Sequence, residues 1–77
     1  MMRINITAPR SLDALGRIIA ITRRAKVSVV NMQIAADTTI YRIHMDVDGD
    51  PDEVSWLVAK LDKLPEVLTI EEIYINR

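Results

Sequence analysis

The groups in this 77-residue chain that could do chemistry are few: one histidine, eleven carboxylates, one tryptophan and no cysteine. His44 stands in a run that alternates apolar and polar residues, between Arg42 and Asp46. One histidine without further ligands at metal spacing makes no zinc site, and it cannot serve a Ser/His/Asp arrangement alone. A polar surface or interface role is what remains for it. The acidic series Asp46, Asp48, Asp50, Asp52 and Glu53 invites a calcium loop. The required glycine is misplaced, and Leu57 occupies the twelfth position, where a bidentate glutamate belongs. Helix capping accounts for these acids better. With Gly16 and Gly49 as the only glycines, no phosphate-cradling loop exists. The residue types therefore predict no catalytic residue and no metal site.

Two residues stand out against this background. Gly16 falls inside a helical pattern, where glycine costs about 1 kcal/mol relative to alanine, so a backbone or a ligand is expected to approach closely there. Trp56 falls opposite the apolar stripe of a second helical pattern, where it is either an exposed interface anchor, a common role for tryptophan, or a boundary residue half-covered by the domain itself.

The elements that must position these residues follow from periodicity. Met2, Ile4 and Ile6 alternate with Arg3, Asn5 and Thr7, a half-buried strand ended by Pro9. Ser11 can N-cap a helix whose first turn carries Asp13. Leu12, Leu15, Ile18, Ile19 and Thr22 share its face, widened by Ala14, Ile21 and Ala25, and Arg17, Arg23, Arg24 and Lys26 supply the other side and the C-terminal turn. From Val27 to Ala36 the chain becomes β-branched: Val30, Met32 and Ile34 are expected to face the helices, with Val29, Asn31 and Gln33 on the other side. A tight hairpin at Asp37-Thr38 leads to a strand in which Tyr41, Ile43, Met45 and Val47 alternate with polar residues. Asp50 as N-cap, Pro51 at the first position and Glu53 three residues after the cap announce a second helix. Its stripe is Val54, Leu57, Val58, Leu61 and Leu64, and Pro65 stops it. The last strand, Val67 to Ile75, alternates imperfectly, which predicts a bulge at Glu71-Glu72.

The order is β-α-β-β-α-β over residues 1–77 in one domain. It predicts an α+β, ferredoxin-like fold: a four-stranded antiparallel sheet with two helices on one face. The first and third strands are then central. Ten Lys/Arg against eleven Asp/Glu leave a net charge of −1, and six of the cations lie in residues 1–36. Neither half is basic enough to predict nucleic-acid binding, and base stacking would need aromatics on the open face of the central strands, whereas the chain has no Phe and Tyr41 is expected to face the helices. No apolar run approaches the roughly 20 residues of a membrane span, and no signal-peptide pattern opens the chain. A cytoplasmic location is expected. The second strand is uncharged, apolar and free of proline at a sheet edge, so a homodimer through that edge is expected.

With the residues laid out, the chain resembles the ACT domain, the βαββαβ regulatory module of amino-acid metabolism. More narrowly it resembles the small regulatory subunit of acetolactate synthase. Leu15-Gly16-Arg17-Ile18-Ile19, then Arg23-Arg24 and Val27-Ser28-Val29-Val30-Asn31-Met32, is similar to that family's L-x-R-I-x-x-L-x-x-R-R-G-y-x-I-x-S-L. Leu61-Asp62-Lys63-Leu64 with Glu66-Val67-Leu68 is similar to its q-L-x-K-L-x-D-V. Valine-sensitive members carry an N-x-x-G turn for the effector's charged ends. Here Arg10 stands at the Asn position and Asp13 at the Gly position. The single ACT domain, the acidic residue at that position and the Met-x-x-Ala-Ala end of the second strand look more like the short, valine-insensitive type.

That resemblance implies a non-catalytic subunit that dimerises, binds the acetolactate synthase large subunit and raises its activity in branched-chain amino-acid synthesis. Thiamine diphosphate, Mg²⁺ and FAD would belong to that catalytic partner, with no cofactor in this chain. An effector, if a small amino acid binds at all, would meet Arg10, Ser11, Asp13, Ala14, Leu15 and Gly16. The dimer or partner interface would involve Arg17, Val29, Asn31, Gln33 and Trp56. Two other readings are a free-standing ACT sensor that binds a small amino acid at a dimer interface, and an acylphosphatase-like enzyme, for which Arg10 is in the right loop without the surrounding glycines.

Overall fold

A computed structural model describes residues 1–76 of the chain. Its elements are strand β1 (Met2–Pro9), helix α1 (Leu12–Arg24), strands β2 (Ser28–Ala36) and β3 (Ile40–Asp48), helix α2 (Pro51–Asp62) and strand β4 (Thr69–Tyr74). The strands form one antiparallel sheet in the order β2-β3-β1-β4. Both helices cover one face, and the expected ferredoxin-like architecture with β1 and β3 central is what the molecule adopts.

Alternation in the central strands builds the core. Ile4, Ile6 and Ala8 of β1 pair with Met45, Ile43 and Tyr41 of β3, and all but Tyr41 are buried under the helices. Ile18 and Ala25 from the α1 segment and Val54, Leu57 and Leu61 from α2 close this core. Gly49 sits where a Cβ would come within 3.1 Å of Val27 Cγ1 and 3.3 Å of the Lys26 carbonyl. A Cβ there would press on the α1–β2 connection, so glycine lets the β3–α2 turn lie this close to it without displacing Val27.

Four local expectations are corrected. The bulge lies in β2, not β4: the pairing steps from Val29↔Val47 to Asn31↔Asp46, so Val30 is the extra residue. This turns Val29 onto the helix side with Met32 and Ile34, while Asn31 and Gln33 stay on the open face. Strand β4 pairs with β1 without a shift, which puts Glu72 opposite Ile4 on the helix side and Ile73 opposite Arg3 on the open face. In α1, Leu12 is 76% exposed and Ile19 37%, so the outer part of the expected apolar face is uncovered. Finally, no capping box forms at α2: Asp50 makes no side-chain cap bond, and the Glu53 carboxylate accepts the Lys26 N–H at 3.2 Å.

Candidate functional site at the effector loop and the free sheet edge

The β1–α1 loop is tied down by its own chain. The Arg10 N–H donates to the Thr39 carbonyl at 3.0 Å, and its Nη1 donates to the Asp37 carbonyl at 3.3 Å. These bonds bind the loop to the β2–β3 turn. There the Asp37 carboxylate takes hydrogen bonds from Arg42 Nη2 at 3.1 Å and the Thr38 N–H at 3.2 Å, which hold its pKa below the usual carboxylate value. Ser11 caps α1 as expected, its Oγ accepting the Ala14 N–H at 3.4 Å. Ala14 is buried and Leu15 half-buried. Gly16 is exposed, and a Cβ built on it would meet nothing within 4 Å. Nothing in the chain itself makes use of the missing side chain.

Chemically, the loop offers little to a zwitterion. An amino-acid carboxylate is drawn to a helix N-terminus by orphan N–H groups and the positive dipole end. Here Ser11 already takes one of those N–H groups, and Asp13 sets a negative charge in the same first turn. Arg17, one turn on, is engaged by Glu66 Oε2 at 2.7 Å. Glu66 Oε1 is buried with no hydrogen-bond donor among the described residues, so Arg17 is the main partner of that carboxylate.

The residues at the sheet edge are presented differently. Every residue of β2 is exposed, including Val29, Val30, Met32 and Ile34. Arg17 and Arg24 of α1 reach toward α2 and the segment after it, as their contacts with Glu66 and Trp56 show. At 100° per residue, Leu15, Ile19 and Leu12 therefore lie on the opposite flank, toward β2. The helix-side surface of β2 and this flank of α1 form one uncovered apolar shelf beside unpaired strand backbone. The turn that receives Arg10 lies at the C-terminal end of β2, so the loop and the edge adjoin. Trp56 is elsewhere: half-buried on α2, with Arg24 Cζ at 5.8 Å and Lys60 Nζ at 5.9 Å from its ring centre.

One polar cluster escaped the sequence reading. On the open sheet face, Arg3 Nε donates to Asp46 Oδ1 at 2.9 Å and its Nη2 to Oδ2 at 3.4 Å. His44 Nε2 lies 3.6 Å from Asp46 Oδ1. Asp46 is buried by these neighbours, and the Arg3 hydrogen bond, aided by the charges of Arg3 and His44 and by Asn31, keeps its pKa low against the opposing effect of burial. The signal was available: Arg3 and Asp46 are both outward positions on adjacent central strands. Among the described residues, no group of three or more His, Cys, Asp or Glu side chains could hold a metal, and no helix is long and apolar enough to cross a membrane.

Comparison with known proteins agrees with this fold. A family model for the ACT domain matches residues 10–70. The chain belongs to the ACT domain family, whose members are regulatory rather than catalytic modules. No curated protein matches it by sequence. Among solved structures, it is similar to the ACT domain from GTP pyrophosphokinase of Chlorobium tepidum, with a TM-score of 0.82 and 18% identity over 94% of this chain and 95% of that one. It is also similar to part of a homoserine dehydrogenase from Thiobacillus denitrificans, at 20% identity and a TM-score of 0.70, covering 94% of this chain and 16% of that one. A formyltetrahydrofolate deformylase from Burkholderia mallei matches at 11% identity and a TM-score of 0.72, over 94% of this chain and 26% of that one. At these identities the likeness is one of fold.

Proposed function

We propose that this chain is the non-catalytic small subunit of an acetolactate synthase, a cytoplasmic regulator that dimerises through the β2 edge and activates the catalytic subunit. The observation that carries the reading is the uncovered shelf of Val29, Met32 and Ile34 beside the Leu12–Leu15–Ile19 flank of α1. A monomer gains nothing from apolar side chains left beside an unpaired strand, whereas two copies joined edge to edge bury them and complete the backbone hydrogen bonds. The resemblance of residues 15–32 and 61–68 to the small-subunit pattern supplies the identity of the catalytic partner. Thiamine diphosphate, Mg²⁺ and FAD are then bound by that partner. Co-purification of the chain with a large thiamine-dependent synthase tests the proposal: a stable complex supports it, and a large subunit that elutes alone with undiminished specific activity contradicts it.

A second reading, a free-standing amino-acid sensor, is favoured by the membership in the ACT family and by the adjacency of the effector loop to the edge. Calorimetry against the twenty amino acids separates the two. The first reading, with Ser11 and Arg10 occupied and Asp13 at the helix N-terminus, predicts no heat of binding to the isolated chain. Saturable binding of one amino acid favours the sensor.

A further inference from the structure

The helices meet along a seam that carries the one tryptophan of the chain and a group of cations. Arg24 of α1 and Lys60 of α2 each bring their charge within 6 Å of the Trp56 ring centre. Lys63 follows Trp56 by seven residues, close to two helical turns, and so continues the same side of α2. None of Arg24, Lys60 and Lys63 has an acidic partner among the described residues. Of the acids near the seam in sequence, Glu53 accepts the Lys26 N–H and Glu66 is paired with Arg17. Asp52, one turn before Trp56, marks the negative end of the seam.

Arg24 and Lys60 share one half-buried aromatic ring, Lys63 extends the basic side beyond them, and none of the three is neutralised by an ion pair among the described residues. Nucleic acid fits the seam poorly, because Arg24 and Lys60 occupy the ring a base would stack on and Asp52 and Glu53 lie at one end. From the ring and the uncompensated charge we infer that the α1–α2 seam around Trp56 is a docking surface for an acidic protein segment. This inference rests on the proposed role as a subunit that binds a larger protein. It assigns that contact to the helix layer, leaving the β2 edge for the second copy. Trp56 and Arg24 would be the anchors, since tryptophan and arginine carry most of the energy in protein interfaces, and Lys60 and Lys63 would steer association.

The emission of Trp56 is a direct readout. A ten-residue polyglutamate peptide, with a polyasparagine peptide and a single-stranded oligonucleotide of equal charge as controls, is titrated into the intact chain. The inference predicts a saturable change with polyglutamate alone, weakening steeply as salt rises. It predicts about a tenfold or greater loss of affinity in R24E/K60E. The K63E variant alters a side chain without intramolecular partners, so it must also weaken binding while leaving the melting temperature unchanged. No emission change with polyglutamate, equal binding by K63E, or equal binding of the oligonucleotide overturns the inference. The same variants added to the catalytic subunit separate the two proposals. If wild-type chain stimulates the synthase and R24E/K60E/K63E does so equally, the seam is wrong and the assigned role stands. If wild-type chain fails to bind the synthase, the role is wrong and the peptide titration decides the seam by itself.

Discussion

Gly16 is a residue whose cost is local and which no contact among the described residues requires. It occupies the middle of α1, it is exposed, and no atom would touch an added Cβ. Gly16→Ala should therefore stabilise the folded chain by about 0.5–1 kcal/mol, read as a higher urea midpoint at unchanged slope. A loss of stability would mean that the helix needs glycine after all. Asp46 makes a second residue-scale prediction. Its folded pKa is depressed by Arg3, so the pair contributes stability that is present above the unfolded carboxylate pKa and lost as pH falls through the lower folded value. Asp46→Asn should thus lower the melting temperature at neutral pH and flatten its decline in acid. Parallel wild-type and variant curves through the acid range would exclude the pair as a source of that decline. Asp46 was legible as an outward-facing acid, but its burial was not, because alternation tells which way a side chain points and not what folds over it.

At the scale of elements, the two sheet edges differ in a way that favours β2 for the proposed pairing. Strand β4 carries Glu71 and Glu72, and the second points to the helix side opposite Ile4, where a charge discourages further strand pairing. Strand β2 carries no charge at all. Ile34→Lys or Met32→Lys should therefore convert a dimer into a monomer in sedimentation velocity without loss of helix signal in circular dichroism. A dimer that survives both substitutions would place the contact elsewhere. These same strands hold the misplaced bulge. Val29 and Val30 are both β-branched and apolar, so periodicity gives no sign of which one is extra. The Glu71-Glu72 pair imitates a bulge because an outward slip would keep the charge in solvent. In the molecule, Glu72 is exposed without a slip, while Ile70 of the same strand packs against the core. Leu12 and Ile19 fit the same account: helical spacing counts apolar positions, and whether this chain or another covers them is a property of the assembly.

At the scale of the whole molecule, the element order and the core were open to reading because they follow from local rules. Alternating residues in β1 and β3, Ser11 and Pro51 at the helix starts, and the stripe Val54–Leu57–Leu61 all point to one arrangement. The functional surfaces were less open. The effector loop was visible as Arg10, Ser11 and Asp13, yet the bonds from Arg10 to the β2–β3 turn depend on a contact across 27 residues of sequence. The Trp56 seam depends on the antiparallel approach of two helices that periodicity places on the same layer without fixing their register.

The central claim is that this small ACT chain acts by binding and activating a catalytic subunit. Its most direct test is acetolactate formation by a fixed amount of the large thiamine-dependent subunit as this chain is added. The account predicts that activity rises to a plateau near equal stoichiometry and is unaffected by added valine. A flat titration with folded chain in excess would contradict it.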